Sequence, residues 1–227
     1  EGDLMVVNPT WAVLHRPALL PAAAAGDTQS AEPDARATSH IDEDLISRLL
    51  HPDSLADAYA VMARPSAVPS ASGIYAWFFD QVPPGVPTDG CRRWDESWLL
   101  YVGISPKKPS SAGKVSKQNL RMRLRNHFSV NASGSTLRLT LGSLLREELG
   151  IELQETRGRW TFGDGEARLS AWMAEHARVS WATDPQPWIL EDHLIETLSL
   201  PLNLQGNTQH PFQTTLSAAR RAARSSS

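Results

Sequence analysis

A small set of side chains in this sequence is of types that do chemistry, and their order along the chain is informative. Tyr75 closes the tripeptide Gly73-Ile74-Tyr75, and Tyr101 opens a second one, Tyr101-Val102-Gly103. Arg123 and His127 lie four positions apart, so on a helix they share a face. Glu191 stands in the run Leu190-Glu191-Asp192, and Asn203 follows it by twelve positions. A single carboxylate, helped by waters and substrate oxygens, can hold a hard divalent ion such as Mg²⁺, and Glu191 is the candidate. Arg123 offers a planar, permanently charged fork to a phosphate. A phenol titrates near pH ~10, so a tyrosine acts as a base only beside positive charge, which Arg123 and a metal can supply. Hydrolysis of a phosphate diester needs these parts: an activated water, cancellation of developing negative charge, and help for the leaving oxygen.

Each residue also has a purely structural use. Tyr75 and Tyr101 can be strand aromatics in a core. Arg123 can be a solvated member of a run of alternating arginines, and His127 a half-buried helix histidine. Glu191 can be a surface residue near a helix start, where negative charge is favoured, and Asn203 can merely follow a helix stop. The chemistry rests on the ordered set, not on any one member.

The elements that must position these groups follow from patterning. SGIYAWFFD is rich in aromatic and branched residues and is predicted to be a strand, with Ile74, Ala76 and Phe78 on one face and Tyr75, Trp77 and Phe79 on the other. The Pro- and Gly-rich stretch from Gln81 to Glu96 reads as a loop, and SWLLYVGIS as a second strand, giving an antiparallel hairpin with a long excursion. NLRMRLRNHF places Leu120, Leu124 and Phe128 at i, i+4 and i+8, the stripe of a core-facing helix. TLRLTLGSLLREELG is predicted to be one helix closed by Gly150. RLSAWMAEHA reads as a short helix, RVSWAT as a third strand, PWILEDHLIETLSL as a helix with proline at its start, and HPFQTTLSAARRAAR as a terminal helix carrying Arg220, Arg221 and Arg224. Trp172, Trp181 and Trp188 are expected in the core. Upstream, IDEDLISRLL and SLADAYAVMA are predicted helices. The organisation expected is a flexible leader over 1–40, a helical extension over 41–68, and a main domain over 69–227.

Composition bounds the rest. The chain has 227 residues, 41% of them hydrophobic, enough for a sizeable core. One cysteine, Cys91, excludes an internal disulfide framework and a multi-cysteine zinc site, and points to a reducing, cytoplasmic setting. No apolar run is long enough to span a bilayer, so no membrane partner is expected. Net charge is −3, which argues against a generic nucleic-acid coat. That average hides an asymmetry: Ser97 to Arg146 contains no Asp or Glu, while Lys107, Lys108, Lys114, Lys117, Arg121 and Arg125 cluster there. These six are candidate nucleic-acid contacts on a phosphate-facing side; the alternative is a loop and a helix with solvated charges.

In this order and context the sequence resembles the GIY-YIG nuclease superfamily, over roughly residues 72 to 205. NLRMRLRNHF looks like the family segment carrying its arginine, which falls on Arg123, with His127 where the family has Tyr or His. LEDHLIETLSLPLN looks like the segment joining a metal-binding glutamate to a structural asparagine, here Glu191 and Asn203. The resemblance implies an α+β fold with a small antiparallel sheet of about three strands flanked by helices. It implies a divalent-metal-dependent endonuclease using Mg²⁺ or Mn²⁺ on a nucleic acid, DNA in the first instance. By resemblance, Tyr75 is the general base, Tyr101 assists in positioning, His127 orients water or Tyr75, and Glu191 holds the metal. Gly73, Gly103 and Asn203 support the site, Asn203 by tying the glutamate helix to the sheet.

The sequence departs from the family in two places. Many members have a lysine after the YIG-type glycine, where this chain has Ile104. Lys107 and Lys108 are the candidates to reach the same space. The spacing from Tyr75 to Tyr101 is also much longer than the usual short hairpin. Ile104 and the modest net charge keep open a second class of reading, a catalytically degenerate module that only binds nucleic acid. Oligomeric state, monomer or homodimer, is not fixed by the sequence.

Overall fold

The computed structural model describes residues 41–225 except 110, 112, 114, 115 and 130. The leader over 1–40 and the candidate contact Lys114 therefore lie outside the described residues. Along the chain come α1 (Glu43–Leu50), α2 (Ala58–Met62), β1 (Gly73–Phe79), β2 (Arg93–Trp94), β3 (Ser97–Ser105), α3 (Leu120–Ser129) and α4 (Thr136–Leu144). They are followed by α5 (Arg146–Leu149), β4 (Gln154–Thr156), β5 (Arg159–Thr161), α6 (Gly165–His176), β6 (Ala177–Thr183), α7 (Pro187–Thr197) and α8 (Gln213–Ser225).

The architecture is α+β. An antiparallel sheet in the order β2-β3-β1-β6 is flanked by helices on both faces. The central strand, β1, is buried at every position, and its two sets of alternate side chains enter two different cores. Ile74, Ala76 and Phe78 pack with Leu45 and Leu49 of α1 and with Leu190 and Leu194 of α7. Tyr75, Trp77 and Phe79 pack with Leu120 and Leu124 of α3, Leu141 of α4 and Met173 of α6. The two-residue alternation anticipated for this segment is the one found.

Several elements differ from the sequence expectation for identifiable reasons. The segment expected to be a loop from Gln81 to Glu96 yields a fourth strand, since β2 pairs with the start of β3 at Arg93↔Trp98 and Trp94↔Ser97. The second helix is only five residues long. It cannot start earlier because Asp57 caps it, accepting from the Ala60 N–H at 2.8 Å. Ala56 is drawn instead into a two-way backbone bridge with Val179. The long helix expected before Gly150 breaks at Leu145 into α4 and α5, although Gly150 closes it in the left-handed conformation as expected (φ 57°). The hairpin β4–β5 was not anticipated. Its tight turn places Arg157 and Gly158 at φ 52° and 73°, and arginine is not a turn signal at the first of these. Of the three tryptophans expected in the core, Trp172 is buried, whereas Trp181 and Trp188 are half-buried. Among the described residues no helix is long and apolar enough to cross a membrane.

Candidate active site

The site forms along the outer edge of β3, where side chains from both faces of the sheet meet. Among the described residues that edge has no neighbouring strand beyond Trp98, and the segment after α7 closes it. Leu202 donates its N–H to the Leu100 carbonyl at 3.0 Å. Asn203 then does what a strand would do. Its Oδ1 accepts from the Val102 N–H at 2.9 Å, and its Nδ2 donates to the Val102 carbonyl at 2.9 Å. Asn207 in turn donates to the Leu200 and Asn203 carbonyls. Asn203 thereby links the turn that leaves α7 to β3.

On one face of this edge stand the two tyrosines. Tyr75 lies opposite Gly103 in the β1–β3 register, and Trp77 opposite Tyr101. Gly103 is a necessity of packing: a Cβ there would come 2.6 Å from Tyr75 Oη and 3.0 Å from Tyr101 Cε1. The glycine lets both phenols lie over β3. Gly73 has a different reason, since a Cβ would run into the Ala182 carbonyl of β6 and Leu120 of α3.

Behind Tyr75 lies a buried polar chain. Tyr75 Oη is 2.9 Å from Nε2 of His127, and Nδ1 of His127 is 2.7 Å from Oγ of Ser135. Ser135 is the N-cap of α4 and also accepts from the Arg138 N–H at 3.1 Å. Arg138 donates to the His127 and Phe128 carbonyls and pairs with Glu166 at 2.6 Å, fixing the end of α3 on α4 and α6. His127 is fully buried, and its pKa is held well below the usual histidine value by burial first, then by Arg123 and Arg138. It is a neutral imidazole with one nitrogen available to accept.

Arg123, one turn before His127 on α3, donates from Nε to Tyr75 Oη at 3.2 Å and from Nη1 to the Gly134 carbonyl at 3.3 Å. Its charge favours the phenolate form of Tyr75, as anticipated. That effect is outweighed, because burial first and then Tyr101 push the Tyr75 phenol far above its ordinary value. The Tyr101 phenol is raised as well, again by burial, against the opposing influence of Arg123. Arg123 thus acts in the expected direction but does not by itself offset the burial of the phenols. Without a further cation, both tyrosines are neutral phenols.

Glu191 reaches the same space from α7, on the other face. Tyr75, Tyr101, Arg123 and Glu191 line one pocket of about 650 Å³, with Ile104, Trp188 and Ile195 forming an apolar wall and Asn203 at its margin. A second cavity of similar volume, between Arg146, Gln154 and Arg168, contains none of these residues. Burial and the neighbouring Asp192 carboxylate push Glu191 up to about 7, with Arg123 and Lys107 pulling the other way. Among the described residues no three His, Cys, Asp or Glu side chains converge on a point. Burial in the pocket makes the charged form of Glu191 costly unless a cation joins it. It suits a hard divalent ion that takes one or two carboxylates and keeps its waters.

The basic candidates divide. Lys107 and Lys108 line the pocket beside Ile104, and the Lys107 charge acts on Glu191. Lys117 is exposed and outside the pocket. Arg121 and Arg125 have another use. Arg121 donates from Nε to the Val68 carbonyl at 2.7 Å, and Arg125 to the Val61, Met62 and Ala63 carbonyls at 2.8–3.4 Å. Arg125 thereby satisfies the carbonyl end of α2, where a cation is favoured. Four residues at the site escaped the sequence reading. Ser135 is signalled only as a helix cap, Thr136 and Trp188 by nothing distinctive, and Arg220 by its spacing from Leu216.

Paired phenols, an arginine fork and one carboxylate on a single pocket can together act on a phosphate. The profile of the GIY-YIG catalytic domain matches residues 73–222, about two thirds of the chain, and the protein belongs to that family. Its function is therefore nuclease-type and its substrate a nucleic acid, in a family that generally uses divalent metals. No curated protein and no solved structure matches the chain.

Proposed function

We propose that this protein is a divalent-metal-dependent endonuclease that hydrolyses phosphodiester bonds, in DNA first of all, at the single pocket on the β3 edge. The observation that carries the reading is the convergence of Tyr75, Tyr101, Arg123 and Glu191 on that pocket, with neutral His127 bonded behind Tyr75. Glu191 is the residue that would hold Mg²⁺ or Mn²⁺. A bound ion supplies Lewis-acid charge at the phosphate and lowers the pKa of water. Arg123 donates to Tyr75, and its remaining N–H groups face the substrate charge. Tyr75, protonated in the metal-free pocket, is the general base: with a bound cation adding to the charge of Arg123 its phenol would lose its proton to solvent, and the phenolate oxygen would take the proton of the attacking water. His127, anchored on Ser135, orients that oxygen through Nε2. Tyr101 positions the phosphate or water beside it. The main domain over 69–227 carries the whole site, with the helices over 41–68 as an extension packed on the sheet.

A degenerate binding module is the second reading, favoured by Ile104 in the place of a lysine. Lys107 in the same pocket weighs against it. The test is cleavage of a supercoiled plasmid and a labelled single strand in Mg²⁺, Mn²⁺ or EDTA, with Glu191→Ala alongside. Metal-dependent nicking lost in the variant is the expected outcome. Binding without cleavage by the wild type would leave only the second reading.

A further inference from the structure

The search for unused chemistry leads to α8. Leu216 and Ala223 are its buried residues, and Arg220 lies four positions after the first and three before the second, on the same inward stripe. An arginine at such a position normally meets a carboxylate or a set of carbonyls, as Arg138 and Arg125 do in this molecule. Arg220 is half-buried, yet among the described residues its guanidinium has no hydrogen-bond or ion-pair partner. Its near electrostatic neighbours are Arg224, which repels it, and Tyr101, and burial lowers its pKa. An uncompensated cation on a packed face is a cost that the fold itself does not recover.

Its location supplies the counter-charge. Arg220 lines the active pocket together with Tyr101, Thr136 and Thr140. The pocket carries Lys107, Lys108, Arg123 and Arg220 against only Glu191 and Asp192, a balance that fits a polyanion. Arg123, by contrast, has already committed Nε to Tyr75 and Nη1 to Gly134. We propose that Arg220 is a phosphate-binding residue of the active pocket, its guanidinium receiving a backbone phosphate of the bound strand while Arg123 holds the tyrosines. This assignment rests on the nuclease reading for its substrate.

The experiment is fluorescence anisotropy of a labelled duplex and a labelled single strand, titrated in EDTA over a range of salt. It compares wild type, Arg220→Met, Arg220→Lys and the exposed neighbour Arg221→Met, with the melting temperature of each free protein. Losing one charge-assisted phosphate contact is expected to weaken binding by about tenfold or more. It should also lower the salt slope by about one. Arg220→Lys keeps the slope without the full affinity, Arg221→Met changes both less, and free Arg220→Met melts no lower than wild type. Wild-type affinity and slope in Arg220→Met would overturn the assignment. So would weaker binding with an unchanged slope and a lowered melting temperature, the signature of a structural arginine. A wild type that cuts but shows no Arg220 effect removes only this assignment. A wild type that neither cuts nor binds nucleic acid removes the nuclease reading as well.

Discussion

Tyr75 and His127 meet through a 2.9 Å contact between Oη and Nε2, although they come from a strand and a helix 52 positions apart. Both groups are held in the form in which this contact is useful. The phenol is kept protonated by burial, and the imidazole is kept neutral by burial and by two arginines. The rings cross edge-on, with centroids 5.3 Å apart. Position, protonation and ring orientation are therefore set before any substrate arrives.

If Tyr75 is the general base, Tyr75→Phe should reduce turnover by about a hundredfold or more, the usual share of general acid–base catalysis. Nucleic-acid binding should be nearly unchanged. His127→Gln should fall between that variant and wild type, because glutamine keeps a hydrogen bond to the phenol but orients it less firmly. Plasmid nicking rates beside anisotropy titrations check this; equal losses in binding and turnover would count against a catalytic role for Tyr75.

His127 should also give the fold an acid-sensitive component. In the unfolded chain it titrates near pH ~6.5, but in the folded protein only well below that. Below pH ~6.5 the unfolded chain takes up a proton that the folded one refuses, so stability present above that pH is lost as pH falls. Glu191, raised to about 7, acts in the opposite sense, since below that value the folded carboxyl holds a proton more readily than the unfolded one. Comparing wild type with His127→Gln by urea denaturation across this range isolates the histidine. The variant should lose less stability on acidification.

Gly103→Ala should destabilise the fold by overpacking, by about 1–3 kcal/mol, and be severe for activity. The added methyl would sit 2.6 Å from Tyr75 Oη and 3.0 Å from the Tyr101 ring, so both phenols must move. Misplacing reacting groups by about 1 Å can cost about a hundredfold in rate. A lowered melting temperature, with nicking lost even at temperatures where the variant is folded, is the expected pair of results.

Arg125→Ala should affect the fold alone. Removing its guanidinium leaves the carbonyls of Val61, Met62 and Ala63 without that donor. A cost of about 1–2 kcal/mol in unfolding free energy is expected. The salt dependence of nucleic-acid binding should stay as in wild type, which anisotropy measures directly.

What the sequence made legible was whatever repeats along one element. The alternation through β1 separated Tyr75, Trp77 and Phe79 from Ile74, Ala76 and Phe78, and the four-residue spacing on α3 put Arg123 and His127 on one side. What stayed hidden depends on distant parts of the chain. The pKa of Tyr75 is set by burial against helices that no local pattern describes. Arg121, Arg123 and Arg125 look alike in sequence, and only the backbone of 61–68 shows that two of them are anchors. Ser135 carries an ordinary cap signature, with nothing to indicate that its hydroxyl backs a histidine. β2 is two residues long, below what any alternation can reveal.

The closure of β3 by Leu202 and Asn203 bears on how the protein behaves when crowded. A sheet whose active groups lie on an outer strand exposes main-chain donors and acceptors that a second molecule can template upon. Here the Leu100 carbonyl and both polar groups of Val102 are consumed by a loop, while at the opposite margin Ala56 takes both groups of Val179. At these positions the edge groups are taken by segments too irregular to be extended by another strand. These stretches of the sheet margin therefore offer a second copy no template for strand pairing, and the edge beside the pocket stays open to side-chain chemistry without being open to main-chain pairing.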